Sequence, residues 1–159
     1  MNATLVFEGS LIIKDVLGGH PQQPSLLQVL PLYHHDELVL IDEPHMTVLT
    51  SRDLKPLRER MKMSNKMFKE WMREQIPKLP SFPLIMIDSA SFGEAKQVRT
   101  DKHSLYYKIV NHDMLIEWRS SIMDFLGIRM KDIDATRPFH ISFANRTGNP
   151  HDSVANPND

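Results

Sequence analysis

The chain has 159 residues, with 19 Lys and Arg against 20 Asp and Glu, so its formal net charge is -1. That balance excludes a uniformly basic nucleic-acid coat but leaves room for a local basic groove. Hydrophobic residues make up 41%, enough for one sizeable core, and the absence of cysteine excludes disulfides, thiolate zinc sites, cysteine nucleophiles and iron–sulfur clusters.

No run approaches the roughly 18 apolar residues of a membrane span. The N-terminal residues Met1, Asn2, Ala3 and Thr4 lack the basic start of a secretory signal, and Glu8 interrupts the apolar run that follows. The expectation is a cytoplasmic domain, or one in the host cytoplasm if the chain is viral.

Residues 3–14 read as one strand with a kink at Gly9. Gly18, Gly19, Pro21 and Pro24 then mark a loop; Gly18-Gly19 lacks the pattern of a phosphate loop. Ser25 can cap a short helix limited by Pro31. Residues 37–41 and 45–50 read as two strands around a turn at Asp42-Glu43-Pro44. Residues 51–76 are the most helical stretch, capped by Ser51 or Asp53, with an apolar stripe of Met63, Met67, Phe68, Trp71, Met72 and Ile76. Residues 84–87, 92–99 and 104–110 suggest further strands. Asn111 opens a second helix, striped by Leu115, Trp118, Ile122, Phe125 and Leu126 and closed at Gly127. Residues 139–144 form the last strand, and the polar stretch after Arg146 reads as a tail. This order of elements implies an α+β fold.

Two of the eight histidines lie in the same local pattern of His, apolar residue, Ser or Thr, apolar residue: His45-Met46-Thr47-Val48 and His140-Ile141-Ser142-Phe143. With this composition two such matches arise by chance in roughly one chain in a hundred. In a strand, residues i and i+2 share a face. His45 and Thr47 therefore project together, as do His140 and Ser142, while Met46, Val48, Ile141 and Phe143 turn towards a core. Such a pair suits phosphodiester cleavage. In-line displacement needs a base at the entering oxygen and an acid at the leaving oxygen, and imidazole can fill either role near neutrality. The hydroxyls can donate hydrogen bonds to the non-bridging oxygens.

On these two motifs the sequence resembles the two-histidine (2H) phosphoesterase superfamily. That group includes RNA 2′-5′ ligase-like proteins, cyclic phosphodiesterases, 2′-5′-oligoadenylate phosphodiesterases and phage counter-defence enzymes that cleave cyclic oligonucleotides. The resemblance implies a bilobal domain over residues 1–146, with two pseudo-symmetric antiparallel sheets, outer helices and a central cleft, followed by a polar tail over residues 147–159. It implies His45, Thr47, His140 and Ser142 as the catalytic set of a metal-independent phosphodiesterase, with no cofactor. The substrate would be small: a 2′,3′-cyclic phosphate end, a 2′-5′ linkage or a cyclic oligonucleotide.

Around the motifs, Tyr106 and Lys108 share a strand face and are candidates to stack a base and meet phosphate. Arg137 and Arg146 flank the second motif and are candidates to attract phosphate. His34-His35-Asp36 is not expected to hold a metal, because adjacent strand residues face opposite ways. His20, His103, His112 and His151 are expected in solvent. Asn145-Arg146-Thr147 spells a glycosylation acceptor. The near-neutral charge argues against long nucleic acid as a ligand, no membrane contact is expected, and the oligomeric state is open. The competing class is a non-catalytic α+β module that binds a nucleotide or a protein and keeps the histidines as structure.

Overall fold

The computed structural model describes residues 3–16, 38–129 and 136–154, and within them the side chains of all but residues 89–91. The loop and helix expected between Asp15 and Tyr33 lie largely outside the described residues, as do His20, His34, His35 and Asp36.

The single N-terminal strand expected from composition is a hairpin. Strands β1 (Thr4–Phe7) and β2 (Leu11–Lys14) pair antiparallel, with Phe7 facing Leu11. Gly9, at φ +81, supplies the left-handed backbone that turns the kink into a reversal. The short β3 (Val39–Leu40) and the first motif strand β4 (His45–Leu49) follow. They do not pair with each other across the turn at Asp42-Glu43-Pro44; β3 instead lies against the last strand.

The long helical stretch is two helices, α1 (Ser51–Arg60) and α2 (Asn65–Gln75). The cap of α1 is Thr50, one residue ahead of the expected position. Its hydroxyl accepts from the Asp53 backbone N–H at 3.1 Å while the Asp53 carboxylate accepts from Thr50 N–H at 2.9 Å, a reciprocal box that satisfies two orphan donors. Lys62, at φ +54, turns the chain between the helices, and Ser64 caps α2 by accepting from Met67 N–H. Of the expected stripe, Phe68 and Met72 are buried but Met67 is 54% exposed. The two strands expected around residues 84–99 are one, β5 (Ile87–Gln97), paired with β6 (Lys102–Ile109). Helix α3 (His112–Leu126) closes on Gly127 at φ +78, where a side chain would be strained. Its Leu115, Trp118, Ile122 and Leu126 are buried; Phe125 is not. The second motif strand is β7 (His140–Asn145).

The α+β class is as expected, but the described strands do not divide into two sheets. The seven strands make one sheet in the order β1-β2-β4-β7-β6-β5, with β3 also on β7, and these neighbours all pair antiparallel. Met46, Val48, Ile141 and Phe143 point from one face into a single apolar cluster with Leu54, Leu57, Phe68, Met72, Leu115 and Trp118 of the three helices. At about 25 cal/mol per Å² of apolar surface, burial of this face is the main force holding helices to sheet. No helix among the described residues is long and apolar enough to cross a membrane.

Candidate active site

The two motifs meet at the centre of the sheet. Met46 pairs with Ile141, the one registered pair between β4 and β7. Antiparallel counting from that pair sets His45 across from Ser142 and Thr47 across from His140. The two histidines are therefore diagonal neighbours on one face, in positions whose Cα atoms lie about 7–8 Å apart in an antiparallel ladder. Both strands bury alternate residues in the same way. His45, Thr47, His140 and Ser142 are half-buried, while Met46, Val48 and Ile141 are fully covered and Phe143 nearly so.

All four motif side chains line one cavity of about 700 Å³. The segment after Arg146, expected as a tail, forms much of its wall: Thr147, Asn149, His151 and Val154 are among the lining residues. Asn145 organises this segment from a fully buried position. Its amide donates to the Asn149 carbonyl at 2.7 Å and to Ser153 Oγ at 3.0 Å, and its Oδ1 accepts from the N–H of Gly148 at 2.6 Å and of Thr147 at 3.2 Å. The glycosylation acceptor read from the sequence is thus a buried structural amide. Val154, itself buried, donates its N–H to Ser104 Oγ at 2.8 Å and so closes the wall against β6.

Burial sets the electrostatics. Taking the imidazoles out of water disfavours their charged form. His140 is pushed down to about 4, chiefly by burial and partly by the charges of His45 and Arg137; a backbone hydrogen bond with Val154 acts the other way. His45 is also lowered, by burial and then by His151 and Lys14, while Glu8 opposes the shift. Glu8 is held below the usual carboxylate range by its hydrogen bond from Lys14 at 2.6 Å.

The flanking candidates divide. Tyr106 pairs with Ser142 and Lys108 with His140, which puts both on the motif face of β6. The Tyr106 ring meets His140 edge-on, centroids 5.7 Å apart. Neither is among the residues lining the cavity; they stand beside it. Arg137 and Arg146 are engaged within the protein. Arg137 holds the Asp53 carboxylate, and Arg146 donates to the Asp101 carbonyl and pairs with its carboxylate. The histidines expected in solvent divide. His103 is 1% exposed and bonded to Glu94 at 2.8 Å, and His112 is half-buried with its ring against Phe139; His151 is exposed, as expected, and lines the cavity. Lys14 and Lys102, also in the wall, lie outside both motifs; for Lys14 the available signal is the strand alternation that puts it on the same face as Ile12. Among the described residues there is no group of three or more His, Asp or Glu side chains placed to hold a metal ion.

Compared with protein-family models, curated proteins and solved structures, the chain matches none of them.

Proposed function

We propose that this chain is a phosphodiesterase of the two-histidine type, acting on a small nucleotide or short oligonucleotide. The observation that carries the reading is the Met46–Ile141 pairing, which brings two His-x-Thr/Ser motifs from distant parts of the chain onto one face of adjacent strands and into one cavity. The strand order reads alike in both directions from that pair. A hairpin (β1-β2) followed by motif strand β4 on one side answers a hairpin (β5-β6) followed by motif strand β7 on the other. On this reading the halves of the sheet are two pseudo-symmetric lobes and the seam between β4 and β7 is the floor of the cleft.

His140 is the base. One ring nitrogen is engaged with the Val154 backbone and the depressed pKa keeps the ring neutral, so the other nitrogen has a free lone pair. It takes the proton of the entering hydroxyl, from water or a ribose, as the new P–O bond forms. His45, nearer to Glu8, is the acid and gives its proton to the oxygen whose bond to phosphorus breaks. Thr47 and Ser142 donate hydrogen bonds to the non-bridging oxygens, where negative charge grows in the transition state. Solvent restores both protonation states, and the sequence needs no metal. The test is a panel of 2′,3′-cyclic ends, 2′-5′ oligomers and cyclic di- and trinucleotides scored by chromatography. Turnover of one class that disappears in His45→Ala and in His140→Ala supports the reading; no His-dependent turnover across the panel overturns it.

A further inference from the structure

Residues 51–78, which span α1 and α2, hold nine of the 19 Lys and Arg residues but four of the 20 Asp and Glu. This is a strongly positive region in a chain whose net charge is -1. Four of its cations, Arg52, Lys55 and Arg58 of α1 and Lys69 of α2, line a second cavity of about 700 Å³ floored by Phe7, Leu54 and Phe68. Arg52, Lys55 and Arg58 recur every third residue and so share one side of their helix. Arg52, Lys55 and Lys69 are exposed and Arg58 is half-buried. Their protein partners are weak: Lys55 lies 3.9 Å from Glu59 with both side chains exposed, and Arg58 donates to the Met63 carbonyl at 3.4 Å.

This trough abuts the motif cavity. Glu8 belongs to both walls, and Ser51 of the trough donates its N–H to Ser10 of the motif cavity at 3.2 Å. The charges of the two differ. The motif cavity sets Lys14 and Lys102 against Glu8, Asp42 and Glu43, whereas the trough has four cations and one carboxylate, Glu8, which is already paired with Lys14. A lone phosphate at the histidines therefore meets no net positive field. A strand that runs on past Ser51 lays its next phosphates among four cations, where electrostatic attraction to the backbone is strongest.

We infer that the α1–α2 trough binds the flanking phosphates of a short single-stranded oligonucleotide, which makes a linear chain of several nucleotides the preferred substrate class of the neighbouring cavity. The inference rests on the two-histidine reading for what is cut, but not for what is bound.

The test is fluorescence anisotropy with labelled hexauridylate and diuridylate on the full chain carrying His45→Ala, repeated with His140→Ala so that the ligand survives in both. Arg52→Glu with Lys69→Glu should weaken hexamer binding tenfold or more. It should also flatten the dependence of log Kd on log salt by about 1.4, the value for two single-strand phosphate contacts. Dimer binding should weaken much less. The milder Arg52→Gln with Lys69→Gln should fall between, at an unchanged melting temperature. Three results overturn the inference: a hexamer Kd within twofold of the parent, equal weakening of hexamer and dimer, or displacement of the hexamer by hexaglutamate as readily as by unlabelled hexauridylate. Trough-dependent binding without His-dependent turnover would overturn the catalytic reading and leave this one standing; turnover without trough-dependent binding would do the reverse.

Discussion

Asp53 and Arg137 join the first turn of α1 to the segment that leads into the second motif. The guanidinium donates to both carboxylate oxygens, at 2.5 and 3.1 Å, across 84 residues of chain. Burial pushes the Asp53 carboxyl up, but the hydrogen bonds from Arg137 and Thr50 outweigh it and hold the group below its ordinary value. Asp53→Ala removes the ion pair and half of the capping box together, and should cost about 2–4 kcal/mol. Urea unfolding checks this; an unchanged midpoint would show that the tie carries no stability.

The burial of both histidines makes a directional claim about pH. With His140 neutral down to about 4 and His45 also below its ordinary 6.5, the form required by the proposed mechanism has His140 uncharged and His45 charged. The kcat/KM profile, which reports the free enzyme, should be a bell on the acid side of neutrality, rising from about pH 4 and falling before 6.5. Bound phosphate favours the charged imidazoles, so the kcat profile should lie at higher pH. The two limbs belong to the coupled pair. A kcat/KM that climbs steadily to pH 9 would exclude histidine as the acid.

The same shifts bear on stability. In the unfolded chain both imidazoles take protons near their ordinary 6.5, whereas in the fold they resist, His140 to about 4. Between these values the unfolded state binds more protons, so stability should decline as pH falls from about 6.5 to 4. Asp53, with its lowered pKa, adds a further loss below its unfolded value near 3.9. Melting temperatures from pH 7.5 to about 2.5 test this, and His140→Asn should flatten the slope between about 6.5 and 4.

His45→Ala and His140→Ala should each lower kcat by about 10²–10⁴-fold, the usual worth of a general acid or base. Thr47→Ala and Ser142→Ala, each losing one hydrogen bond to the phosphoryl group, should cost roughly 10–10³-fold. Near-parental kcat in both histidine variants on the identified substrate would remove them from the mechanism. The effects should not add, since the proposed mechanism uses the four as one unit.

Gly93 faces Tyr106 across β5–β6, and a Cβ built on Gly93 would overlap the Tyr106 side chain, within van der Waals radii of Cζ and the hydroxyl. Gly93→Ala must therefore displace the ring from its edge contact with His140, at a cost of about 1–3 kcal/mol typical of overpacking. In a Tyr106→Ala background the same substitution should be nearly neutral. A double-mutant cycle with no coupling would show that the ring does not depend on this glycine.

Turnover should persist in EDTA, because the proposed proton transfers run between imidazoles and the reacting oxygens. Loss of activity on chelation, restored by a divalent cation, would replace the mechanism.

Much of the site is legible locally. Strand alternation assigns Met46, Val48, Ile141 and Phe143 to the core and leaves each histidine beside its hydroxyl residue, because the two-residue period belongs to the backbone itself. Gly127 as the end of α3 follows equally from the left-handed turn it permits. Other features depend on contacts between distant segments. That Met46 lies against Ile141, giving one sheet rather than two, is a pairing no local period encodes. The return of residues 147–154 over the cavity rests on buried Asn145 and on Ser104, a residue of another strand. Arg137 looks like a free phosphate ligand until Asp53 is placed beside it. A side chain's chemistry and its face are properties of its neighbours in sequence; its partner is set by which remote surfaces the packing of the core brings together.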